Sequence, residues 1–405
     1  MNGQKAQQAN LALATIAFSL CFAVWSLISP LASQFQKSLG LTDTQTALLL
    51  ALPVILGSLA RVPMGILTDH LGGRRVFTAL IAFSILPVVF MGFANSYAMM
   101  LIGGFFLGMA GSSFAIGVPF VSRWYSAQSQ GTALGIYGMG NIGTAVAAYS
   151  VPWIAANYGT RYAFWVFAPV LAVYAVLFWL LAEDAPSPPK PSSLAQNLQL
   201  VRRERLSWVF SLFYFVTFGG FVAFSIFLPK LLVDWFALSK TDAGLRTAGF
   251  VVLATLARPL GGYIADRIGG ARLLALVFGI GPFLALVLAY EALAPQMVAV
   301  TLAILILAVL LGLGNGSVFK LVAQYFRRNT GVVTGIVGAA GGLGGFFPPM
   351  VMGAVHDLTG SYAIGLLLLA VFLVGCLAVD VVGLVIRQPK VSADEPPPET
   401  RRSAA

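Results

Sequence analysis

Long apolar runs, separated by short polar breaks, fill this chain from Leu11 to Val385. Each reaches the roughly 18–20 residues a helix needs to cross a hydrocarbon core of ~30 Å. Within lipid an unpaired backbone group costs several kcal/mol, so such runs must be helices. The pattern predicts twelve spans, over residues 11–35, 46–69, 75–95, 97–124, 130–157, 161–182, 207–235, 241–266, 271–293, 296–325, 330–356 and 361–386. The first follows Lys5 but is too long for a signal peptide and lacks a small-residue cleavage site, so it is read as a membrane helix. Between the sixth and seventh runs, Pro186, Pro188, Pro189 and Pro191 precede Arg202, Arg203 and Arg205, which marks a linker. The expected organisation is a six-helix bundle over 1–182, a cytoplasmic linker over 183–206, a second six-helix bundle over 207–386, and a disordered cytoplasmic tail over 387–405.

The second span ends in Leu59-Ala60-Arg61-Val62-Pro63-Met64-Gly65-Ile66-Leu67-Thr68-Asp69-His70-Leu71-Gly72-Gly73-Arg74-Arg75. The eighth repeats it: Arg258, Asp266 and Arg272 each follow Arg61, Asp69 and Arg75 by 197 residues. Two six-helix halves with motifs in register are the layout of a transporter built from parallel repeats. The element formed by Gly65, Asp69, Gly72, Gly73 and Arg75, and again by Gly262, Asp266, Gly269, Gly270 and Arg272, resembles the loop motif of the major facilitator superfamily. Its Asp is expected to pair with basic residues of neighbouring helices when the bundle closes, which makes Asp69, Arg75, Asp266 and Arg272 gating residues.

Only 9% of the residues are charged, against about 25% in ordinary globular domains, so most of the surface meets lipid. The net charge of +10 could suggest nucleic acid, but the cations are placed as in a membrane protein. With the N-terminus inside, sixteen Lys and Arg fall on inner segments and five on outer ones, which predicts cytoplasmic termini. The remaining three, Arg61, Arg258 and Lys320, lie within spans. Cys21 and Cys376 sit in separate apolar runs without metal-ligand or CxxC spacing. No phosphate loop, Ser/His/Asp set or metal cluster appears, and no cofactor is expected. His70 and His356 read as interfacial residues.

The acidic residues fall at span ends, in loops or in the tail, apart from Asp380 in the last run. An arginine at the bilayer centre costs at least ~2.5–3.5 kcal/mol, so it belongs beside a cavity where its charge is used. Arg61 lies eight residues before Asp69, about 12 Å deeper at 1.5 Å per residue, and Arg258 stands likewise to Asp266. By the pseudo-symmetry of the repeat the two guanidiniums should converge near mid-depth, as a receptor for a small planar oxyanion. Bracing of the bundle through carbonyls is the alternative. The fifth span, Gly131 to Gly143, and the eleventh, Gly331 to Gly345, carry glycines 200 residues apart, which suit close helix packing. Asn141 could donate its amide to an oxyanion or bond a neighbouring helix. Lys320, near the inner end of the tenth span, is expected to be uncharged beside the arginines and to take a proton when the anion binds, or else to snorkel to the interface.

Gly108-Met109-Ala110-Gly111-Ser112-Ser113-Phe114-Ala115, the run Gly138-Met139-Gly140-Asn141-Ile142-Gly143 and the eleventh-span glycines together resemble the nitrate/nitrite porter family of that superfamily. The resemblance implies an all-α, twelve-helix major facilitator fold and transport of nitrate or nitrite by alternating access. It places the substrate clamp on Arg61 and Arg258, the signature asparagine on Asn141 and the aromatic sandwich on Phe114 and Phe319. Asn141 and glycines such as Gly140 and Gly342 would line the path. In the seventh span, where some members have a tyrosine, the chain offers Phe224. The expected carrier is a monomer in a bacterial cell (inner) membrane, working as a proton symporter. Nitrate/nitrite exchange, a carrier for a monocarboxylate or phosphate, and a non-transporting sensor are the alternatives.

Overall fold

The computed structural model describes residues 3–125, 130–185, 204–326 and 330–386. Those residues are helical and contain no strand. Among the described residues eleven helices are long and apolar enough to cross a membrane: Gln4–Leu39, Asp43–Thr68, Gly73–Phe93 and Tyr97–Ser122, then Thr160–Leu181, Arg205–Phe236, Lys240–Ile268, Gly270–Glu291, Met297–Val322, Val333–Thr359 and Ala363–Ile386. In fifth place stand three consecutive helical pieces, Gln130–Gly138, Met139–Ile142 and Gly143–Tyr158. Glycines and Asn141 make that stretch less apolar than its neighbours. The expected succession of spans is therefore present. Most of the linker and all of the tail, at 186–203 and 387–405, lie outside the described residues.

The first helix begins earlier than the apolar pattern, because its polar start has a partner. Asn10, 2% exposed, accepts a hydrogen bond from the Glu183 N–H at 2.8 Å, tying the first helix to the end of the sixth. The two loop motifs have a backbone reason for their glycines. Gly72 (φ 85°) and Gly269 (φ 93°), 197 residues apart, turn the chain in a region that side-chain-bearing residues rarely enter.

The halves meet through two equivalent seams. The second span packs on the eleventh, and the fifth on the eighth. The sixth and twelfth spans lie at the periphery and turn large apolar side chains outward, among them Leu180 and Val371. Several helices lose α-geometry at one level. The second breaks between Leu59 and Arg61, the fourth runs as 3₁₀ over Gly108–Ser112, and the fifth over Met139–Ile142. The eighth, Lys240–Ile268, is continuous. Short 3₁₀ stretches inside long helices mark hinges or functional sites; here one holds Asn141 and another ends two residues before Phe114, while Arg61 follows the turn at Ala60.

At the end of the bundle remote from Gln4, charged groups tie the halves together. Lys230, 1% exposed, pairs with Asp43 at 2.6 Å across the seam and with Asp234 at 2.5 Å in its own helix. Asp43 also meets His356 Nδ1 at 2.7 Å. Asp357 accepts the Asp43 and Thr44 N–H groups at 2.8 and 2.7 Å, capping the second span from the other half. Tyr362 donates to Asp234 at 2.7 Å, and Ser29 donates across the seam to the Ile226 carbonyl at 2.6 Å.

Candidate functional site

The two arginines converge on one aromatic ring. Arg61 Cζ lies 5.7 Å and Arg258 Cζ 5.9 Å from the Phe114 ring centre. Arg258 also lies 5.6 Å from Phe319, and Phe114 and Phe319 stand 6.5 Å apart with their planes tilted by 42°. Sequence-predicted Arg61, Arg258, Phe114 and Phe319 are thus brought together between the halves. Each arginine faces a glycine of the opposite half. Arg61 Nη1 donates to the Gly338 carbonyl, and a β-carbon on Gly138 would lie 3.6 Å from Arg258 Cζ. Gly138 and Gly338 are the 200-residue repeat partners.

The two cations are not used alike. Among the described residues Arg61, 4% exposed, hydrogen-bonds only to carbonyls, that of Gly338 and, at 3.4 Å, that of Gly111. Arg258 Nη2 donates to the Tyr214 hydroxyl at 3.2 Å, while its buried Nη1 has no protein partner among the described residues. A hydrogen bond to a charged group contributes about 1.5–3 kcal/mol, and removing one ion from water costs several. Two carbonyls or one phenol do not offset that cost for an adjacent pair of cations. A bound anion would.

Asn141 is 3% exposed and its Oδ1 has no partner among the described residues. Gly342 lies against Arg61: a β-carbon there would sit 3.0 Å from Nη1 and collide with the Ser58 hydroxyl. Gly140 is placed differently from expectation. A β-carbon on it would enter the Phe18 ring of the first span, so it serves helix packing, and the fifth-span glycine at the arginines is Gly138.

Two other expectations are corrected. Lys320 is not isolated beside the arginines; its ammonium pairs with the Asp266 carboxylate, and the two side chains are 40% and 54% exposed. The repeat motif supplies the carboxylate, so the premise of a desolvated, unpaired lysine does not hold. The seventh-span position is not Phe224, which packs on Phe250, but Tyr214, ten residues earlier on the face turned to the arginines. Tyr214 stacks at 4.9 Å on Phe218, whose ring lies 5.5 Å from Arg61 Cζ. One i, i+4 aromatic pair therefore serves both cations. Tyr214 is the sole tyrosine of Arg205–Phe236, a signal the sequence did carry. Asp380, the acid the sequence left inside the last run, is fully buried in the twelfth span, with neither carboxylate oxygen hydrogen-bonded among the described residues.

Of the loop residues, Asp266 has the Lys320 pairing, Arg75 and Arg272 are exposed, and the Asp69 side chain lies outside the described residues.

A helical bundle whose halves repeat, meeting at a pair of cations between them, is the architecture of a membrane transporter. The sequence profile described as Major Facilitator Superfamily matches residues 14–349 and 210–405. The chain is 42% identical over 364 residues to the "Nitrite extrusion protein" of Bacillus subtilis (strain 168), covering 90% of this chain and 91% of that one. It is 40% identical to the "Probable nitrate/nitrite transporter NarK2" of Mycobacterium tuberculosis, covering 92% and 95%. It is also 40% identical to the "Probable nitrate transporter NarT" of Staphylococcus carnosus (strain TM300), covering 89% and 92%. Among solved structures, an inward-facing bacterial homologue of the human lysosomal transporter Spinster shares the fold, with a TM-score of 0.73 at 18% identity over 92% of this chain and 95% of that one. The chain belongs to the Major Facilitator Superfamily, in its nitrate/nitrite porter family, and is a transporter rather than an enzyme.

Proposed function

We propose that the protein carries nitrate and nitrite into a bacterial cell by alternating access across the cell membrane. One observation carries this reading: two repeat-related guanidiniums meet at one aromatic ring with no carboxylate between them among the described residues. A planar anion fits the space between Phe114 and Phe319 and takes donors from Arg61, Arg258 and Asn141. The names of the relatives support the same substrates. The bundles over 1–182 and 207–386 rock about this site, joined by the linker at 183–206, and the carrier works as a monomer with cytoplasmic termini. The Asp43–Lys230–His356 end is then the outer gate, shut in this state.

Coupling to a proton is the first reading. Exchange of one anion for the other is the second, favoured by the all-cationic centre. Purified protein in liposomes loaded with a pH dye separates them. Nitrate or nitrite is added outside vesicles that are empty or preloaded with the other anion. Acidification with uptake into empty vesicles means symport. Uptake only into preloaded vesicles, without acidification, means exchange. No movement of either anion, with formate or phosphate carried instead, overturns the substrate.

A further inference from the structure

Serines and threonines inside membrane helices usually bond back to the carbonyl one turn earlier. Thr15, Ser26, Thr46, Thr68, Ser84, Thr247 and Ser317 all do so here, at 2.7–3.0 Å. Ser58 and Thr255 do not. They are 1% and 4% exposed, and neither hydroxyl has a hydrogen-bond partner among the described residues. Ser113, Ser207, Ser211 and Thr217 have none there either, and of the unmatched hydroxyls only Ser58 and Thr255 are related by the 197-residue repeat, each three residues before its arginine. A buried hydroxyl left unmatched costs about 1–3 kcal/mol. The same unmet donor at the same place in both halves points to a shared ligand.

The ligand is indicated by the surroundings. Ser58 is turned toward the eleventh span of the other half, where a β-carbon on Gly342 would collide with its hydroxyl and lie 3.0 Å from Arg61 Nη1. Ser58 and Arg61 therefore open onto one point at the seam. Three residues of helix raise a side chain by about 4.5 Å, so the two hydroxyls lie one step from the guanidiniums, toward the end closed by Asp43 and Lys230. Thr255 stands in the eighth span, which packs on the fifth-span turn that carries Asn141.

We propose that Ser58 and Thr255 are substrate-binding residues that donate to the oxyanion from the outer side of the arginine pair and favour nitrate over nitrite. This rests on the nitrate/nitrite reading. An anion pinched between Phe114 and Phe319 presents its edge to the donors. The two guanidiniums cover two oxygens of nitrate, and the third meets the hydroxyls. Nitrite has no third oxygen, so it has little to lose when the hydroxyls go. A site that hydrogen-bonds a substrate group discriminates strongly against the analogue lacking it.

The test is uptake of both anions by the full-length protein in liposomes, comparing wild type with Ser58→Ala, Thr255→Val, the double variant and Thr255→Ser. Each hydroxyl deletion should raise the KM for nitrate about 10-fold, one lost hydrogen bond at 1.4 kcal/mol per decade. The KM for nitrite should change less than about 2-fold. Thr255→Ser restores the donor and should restore nitrate affinity. Equal changes for both anions, a fall in kcat alone, or no change overturns the proposal and leaves the hydroxyls structural. A variant that does not fold is decided by its partner and by Thr255→Ser. If the wild type carries neither anion, the substrate reading itself fails, which is a different result from unchanged variants.

Discussion

Tyr214 shows what a single side chain contributes to this site. Its hydroxyl accepts from Arg258 Nη2 and its ring stacks on Phe218, which lies under Arg61. It therefore fixes where the Arg258 fork points. Tyr214→Phe keeps the stack and removes the acceptor. Transport kcat/KM should fall about 10-fold for both anions, because the lost hydrogen bond involves a charge; an unchanged value would show that Arg258 is oriented by other groups. The arginines themselves were legible in the sequence, since a cation in an apolar run stands out and the 197-residue repeat pairs it. Tyr214 was not singled out among 12 Tyr and 30 Phe, because ring direction depends on helix rotation. Lys320 differs from expectation for a related reason: the sequence shows the repeat motif, but not that its Asp266 comes within an ion pair of the tenth span.

At the scale of elements, the seams depend on bare helix faces. The second and eleventh spans approach closely enough that a β-carbon on Gly342 would enter the space of Ser58 and press on Arg61. Gly342→Ala is expected to leave folding intact, since it costs nothing in helix propensity. It should reduce transport at least about 10-fold by displacing the guanidinium, given that small misplacements at a reacting or binding centre are expensive. Wild-type transport by a well-folded Gly342→Ala protein would show that the seam relaxes freely. The spans and their order were readable from hydropathy because membrane helices must satisfy their own backbone. The breaks at Ala60, Gly108–Ser112 and Met139–Ile142 were not, since glycine permits a 3₁₀ turn without dictating it. Helix rotation likewise decides that Gly138 meets Arg258 while Gly140 meets Phe18.

The whole molecule is held shut at one end and joined at its middle. Asp43, Lys230, His356 and Asp357 come from three separate spans, so no local pattern announced their meeting. Asp43 links the halves through Lys230 and His356, and its replacement leaves Lys230 paired with Asp234. Asp43→Asn should therefore shift the population toward the opened end without unfolding the protein. A Ser29→Cys probe, placed where Ser29 now bonds Ile226 across the seam, should react about 10-fold faster with a membrane-impermeant maleimide in that background, given a lost charged hydrogen bond. The native Cys21 and Cys376 are buried. Equal labelling rates would show that the ion pairs do not govern opening.

Two repeat-related arginine forks are proposed to clamp a planar oxyanion. The clamp is tested most directly by nitrate and nitrite uptake into liposomes bearing wild type, Arg61→Lys or Arg258→Lys. Lysine keeps the charge and loses the planar, two-pronged donor. Each variant is predicted to lose about 100-fold in kcat/KM for both anions, the equivalent of roughly two lost charge-assisted hydrogen bonds. Uptake with wild-type affinity in either variant would contradict the clamp and reduce that arginine to a brace between helices.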